Sequence, residues 1–97
     1  MTDWPFEQPE NEAVLTTRQI VEEGAAILRV SRDDEDGAWQ FHTGKDAPLE
    51  ADARVVALGE IVEMDPALRD LAELPPGFVA VRDAEGRPWL RYPLAEE

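Results

Sequence analysis

The chain has 97 residues, which allows one domain that buries roughly two-thirds of its unfolded surface. Apolar residues make up 43% of it, enough for a core, and 22 acids against 9 bases leave a net charge of −13. Such a field repels nucleic acid and anionic membranes and favours a basic partner, while the absence of cysteine excludes disulfides, thiolate catalysis and cysteine-ligated metals.

No apolar run approaches the ~18 residues of a membrane span. The opening "MTDWPFEQPENE" carries neither a basic leader nor an apolar signal core, so the expected location is the cytoplasm. Eight arginines to one lysine, with frequent alanine, is the usage of a GC-rich bacterial genome.

In chain order, residues 1–12 read as an N-terminal arm, because Pro5 and Pro9 lack amide donors and no apolar period is present. Trp4 and Phe6 are its apolar residues, suited to covering an edge of the core. The rest, residues 13–94, reads as a single domain. "AVLTTRQIVEEG" predicts a short strand feeding a helix of roughly two turns. Thr16 and Gln19 have the spacing of a capping box, Leu15 and Ile20 that of a hydrophobic staple, and Gly24 is a natural terminator.

"AAILRVSR" predicts a strand, and "AWQFHT" a second one with Trp39 and Phe41 on one face and Gln40 and His42 on the other. Between them "DDEDG" packs four acids, and the whole reads as a hairpin. "KDAPLEADA" is a polar loop. "RVVAL" reads as a strand or the start of a helix, followed by Leu58, Ile61 and Val62 at helical spacing. Asp65 and Pro66 mark a helix start, with Leu68, Leu71 and Ala72 as its apolar stripe. Pro76-Gly77 suits a type II turn. "FVAVR" and "PWLRY" predict a hairpin around "DAEGR". No internal repeat is evident. The expected fold is a compact α+β domain, mainly an antiparallel sheet of about five strands with two or three short helices.

Catalytic and metal chemistry find little support. An EF-hand register that aligns Gly37 places Arg32 and Thr43 at ligand positions, and a cation cannot serve as a calcium ligand. His42 is the sole histidine and Ser31 the sole serine, and Lys45 follows no phosphate-binding loop. The expectation is therefore no enzyme, no metal and no cofactor.

The landmarks "TTRQIVEEGAAILRV", "DDEDGAWQFHTG" and "VVALGEIVEMDPALRDLAELPPGFVAVRD" together cover roughly residues 13–83. In their order and spacing they resemble a bacterial domain-of-unknown-function family also catalogued as immunity protein family thirty-three of polymorphic toxin systems. The chain differs in reading Asp36-Gly37-Ala38-Trp39 where members carry Asp-Ser-Gly-Trp. The resemblance implies a small cytoplasmic protein that neutralises a toxin by binding it; the expected assembly is a monomer or homodimer. The alternative is a stand-alone regulatory or adaptor domain. The plain role of Asp33, Asp34, Glu35 and Asp36 is a solvated turn. As a contact surface they would be flanked by Trp39 or His42 and would steer a basic toxin by long-range attraction, with no nucleic acid or membrane as partner.

Overall fold

The computed structural model describes residues 4–44 and 50–94, so the predicted loop over 45–53 lies largely outside the described residues. Strand β1 (Ala13–Thr17) runs straight into helix α1 (Arg18–Glu23), followed by strands β2 (Arg29–Arg32) and β3 (Trp39–His42). Strand β4 (Ala53–Ala57) runs straight into helix α2 (Leu58–Met64), then a 3₁₀ helix (Pro66–Leu71), then β5 (Phe78–Val81) and β6 (Leu90–Pro93). The six strands form one sheet in the order β4-β1-β3-β2-β5-β6. Four of the five pairings are antiparallel, and β1 runs parallel to β3. The α+β class is as expected. The sheet is one strand larger than expected and mixed.

The alternation of β2, β3 and β5 sets two faces. Val30 lies between Phe41 and Ala80, and Arg32 opposite Trp39, so these residues share the inner face. Over it pack Ile20 of α1, Leu58, Ile61 and Val62 of α2, and Leu68, Leu71 and Leu74 from the segment after it. Phe6 completes the core, meeting Trp39 edge-on at 5.4 Å, and Trp39 stacks on Phe41 at 6.1 Å. The outer face carries the half-buried Leu15, Gln40, Ser31 and Tyr92.

The arm is docked along its described length. The Glu12 carbonyl accepts from the Leu58 N–H and the Glu10 carbonyl from the Gly59 N–H, each at 2.8 Å. Those are free donors at the start of α2, whose cap position Ala57 has no side chain to satisfy them. A β-carbon at Gly59 would lie 3.0 Å from Glu10 Cβ, so the glycine permits this crossing.

Local signals hold in several places. Gly24 takes the left-handed conformation (φ 72°) at the end of α1. The Asp65 side chain accepts from the Ala67 N–H with Pro66 behind it, though the helix it starts is 3₁₀ rather than α. The Phe78 N–H closes on the Pro75 carbonyl with Gly77 at φ 83°, as the type II turn requires. The capping box does not form. Thr16 is a buried strand residue whose hydroxyl donates to the Phe41 carbonyl at 3.0 Å, and Gln19 donates instead to Asp52. Leu15 pairs with Val55 in the sheet, so no staple forms either. Five ladder pairs with β4 hold this segment extended through Thr17, and that pairing outweighs a local cap.

The fold also corrects the absence of a repeat. The chain contains a β-α-β-β unit twice, β1-α1-β2-β3 and β4-α2-β5-β6. Gln19-Ile20-Val21-Glu22 in α1 corresponds to Glu60-Ile61-Val62-Glu63 in α2, and "RDDEDGAW" from Arg32 corresponds to "RDAEGRPW" from Arg82, fifty positions later. The halves meet at or within one position of equivalent residues: the β1–β4 ladder is centred on Leu15↔Val55, and Val30↔Ala80 joins β2 to β5.

Candidate functional site

The acidic stretch is the tip of the β2–β3 hairpin, and its own backbone builds it. The Asp33 N–H donates to the Ala38 carbonyl and the Gly37 N–H to the Asp33 carbonyl, both at 2.9 Å. Two of the acids brace the turn: Asp33 Oδ1 accepts from the Glu35 N–H at 2.8 Å and Asp36 Oδ1 from the Ala38 N–H at 2.9 Å. Gly37 sits at φ 70°, and a β-carbon there would fall 2.7 Å from Arg32 Nη2.

Arg32 is the floor of the tip. It is buried, lies 4.8 Å over the Trp39 ring, and donates from Nε to the Gly37 carbonyl and from Nη1 to the Leu74 carbonyl. Its hydrogen bonds thus go to main-chain oxygens. The tip also leans on the Pro75–Gly77 turn, where the Gly77 N–H donates to the Arg32 carbonyl at 2.9 Å and a β-carbon on Gly77 would lie 3.0 Å from Asp34 Cβ. Pro75 and Pro76 are exposed there. Asp33, Asp34, Glu35 and Asp36 are all exposed, and among the described residues no ion pair involves them.

The predicted flanking residues do not join this surface. Trp39 is 2% exposed, and its indole N–H donates to Gln8 Oε1. It supports the tip from beneath and cannot touch a partner. His42 stands at the far end of β3 on the opposite face, paired with Arg29, and its Nε2 lies 3.1 Å from Gln40 Oε1. Burial first, and the neighbouring Arg29 charge second, hold its pKa below the ordinary 6.5. No hydrogen bond joins His42 to Ser31 among the described residues. Pro75 and Pro76, which sequence reasoning gave only a turn role, are the apolar neighbours of the acids. They lie some forty positions away in the chain, so only the β2–β5 pairing reveals them.

The counterpart of the tip in the second half is a cleft of about 590 Å³, lined by Ala67, Asp70, Arg82, Gly86, Arg87, Pro88, Trp89 and Arg91. Arg82 repeats the role of Arg32. Its guanidinium lies 4.2 Å over the Trp89 ring, its Nε donates to the Ile27 carbonyl at 3.0 Å, and its Nη2 pairs with Asp65. Sequence reasoning missed this cluster, for which the signal was Arg82, Arg87 and Arg91 within ten residues of an acidic chain.

Among the described residues no group of three or more His, Asp or Glu is placed to hold a metal ion, and no helix is long and apolar enough to cross a membrane. No family model, curated protein or solved structure matches this chain.

Proposed function

We propose that this protein is a non-catalytic binding protein of the bacterial cytoplasm whose acidic hairpin tip meets a basic surface on a protein partner, in the manner of a toxin-neutralising immunity protein. One observation carries this reading. The four carboxylates of Asp33, Asp34, Glu35 and Asp36 are exposed on a braced turn, and the arginine beneath them is committed to main-chain carbonyls. Such charges are left for a partner, and their field accelerates encounter with a cation-rich surface. Exposed ion pairs add little net affinity, on the order of 0–1 kcal/mol each, so the complex needs a desolvated anchor as well. Pro75 and Pro76 supply an apolar neighbour for that purpose, since Trp39 is enclosed.

The test is co-expression with the product of the neighbouring gene. The expected result is relief of that product's toxicity and a one-to-one complex. Asp34→Lys with Glu35→Lys then slows association at least tenfold at low salt. Neither side chain makes the turn's hydrogen bonds among the described residues, so the fold is retained in the variant. A harmless neighbour, or association that ignores both salt and the charge reversal, rejects the proposal.

A further inference from the structure

We infer that the cleft between the Pro66–Leu71 helix and the β5–β6 loop is a binding site for a small oxyanion, a carboxylate or a phosphate. Three arginines line it against one acid, Asp70, in a molecule that is otherwise strongly negative. Arg82 is 6% exposed and Trp89 is 8% exposed, and each keeps a buried N–H without an acceptor: Nη1 of the guanidinium and Nε1 of the indole. A buried donor left unmade is costly, and an oxygen ligand that accepts from it removes that cost. Arg82 cannot turn to serve itself, because Nε is held by the Ile27 carbonyl and Nη2 by Asp65. Its remaining donor is thereby fixed in place, as a recognition group must be.

The rim carries two exposed arginines, with the acids Asp83 and Glu85 in the loop that holds Arg87. Arg87 and Arg91 are exposed, and Arg91 is steadied by a 2.9 Å hydrogen bond from Nη2 to the Asp70 carbonyl. Both side chains line the cleft and their unpartnered donors are buried, so an oxyanion that bonds them displaces part of the rim. The exposed loop 83–88, with Gly86 at φ 85° and open space around it, is the part that can yield. The volume suits a small ligand, and the net charge of −13 disfavours a polyanion such as nucleic acid over a ligand of a few charges.

Titration with inorganic phosphate and with citrate at constant ionic strength, chloride being the control, tests this by ¹H–¹⁵N correlation spectra. The expected result is a saturable shift of the Trp89 indole N–H and of the 83–88 amides, absent with chloride. Citrate acting alone assigns the carboxylate, and phosphate acting alone assigns the phosphate. Arg87→Glu with Arg91→Glu, both at exposed positions, weakens the response at least tenfold while the Trp4 and Trp39 indole signals stay in place. The inference is overturned if neither anion gives a saturable shift, if chloride gives the same shift, or if the double variant responds like the parent.

Discussion

A glycine at φ 70° whose missing side chain leaves room for a guanidinium is under two constraints at once, and Gly37 separates them from Gly86. Both have positive φ, but a β-carbon meets Arg32 Nη2 at 2.7 Å at Gly37 and nothing within 4 Å at Gly86. Alanine at Gly86 therefore costs only the backbone term, about 1 kcal/mol. Alanine at Gly37 also displaces the arginine that bonds Gly37 and Leu74, which brings the loss to about 2–3 kcal/mol. Urea unfolding of the two variants measures the difference, and equal losses would show that Arg32 can move freely.

His42 makes a pH prediction of definite sign. Its pKa is lowered in the fold by burial and by Arg29, so the folded chain resists the proton that the unfolded chain accepts. Above the ordinary value of 6.5 the ring is neutral in both states and contributes no slope. As pH falls through that value the unfolded state gains protons and stability drops. Denaturant unfolding between about pH 7.5 and 5.5 should show this fall in the parent and a flatter profile in His42→Gln. Asp52 acts in a separate window. The hydrogen bond from Gln19 first, and that from Arg18 second, lower its pKa from 3.8, so its contribution is lost only in stronger acid.

At the scale of elements, the N-terminal arm behaves as part of the core. Phe6 packs on Trp39, and the Glu10 and Glu12 carbonyls close the start of α2. Phe6→Ala should cost about 3–5 kcal/mol in unfolding free energy and speed amide exchange at Leu58 and Gly59. A loss under 1 kcal/mol with unchanged exchange would make the arm a mere cover. This docking was legible only as two aromatic residues in a proline-bearing stretch. Elements carrying their own stereochemical signal were read correctly: Gly24, Asp65-Pro66, Pro76-Gly77, and the Trp39/Phe41 alternation. What failed depended on distant partners. Thr16 had the composition of a cap, and only the β4 ladder made it a strand residue. The acids of the tip were plain in the sequence, whereas Pro75 and Pro76 beside them were not, because proximity across strands has no local signature.

At the scale of the molecule, the two halves pair in the same way within each hairpin and across Leu15↔Val55 and Val30↔Ala80. They differ in one respect: β3 lies beside β1, whereas their counterparts β6 and β4 form the two ends of the sheet. Val55, 69% exposed on β4, and Leu90, 67% exposed on β6, stand on those end strands. The sequence repeat was hard to see because the second half carries extra residues between helix and strand, which breaks a fixed period.

Two identical chains related by a rotation must show the same loop in both places. Here one polypeptide supplies both, and each is free to change without the other. The loop after Arg32 carries four carboxylates, while after Arg82 an arginine, Arg87, stands at the position matching Gly37 and, two residues beyond the tryptophan, Arg91 at the position matching Phe41. A single small molecule thereby carries two differently charged loops on matching scaffolds, a division of labour that a symmetric pair of half-length chains is barred from reaching.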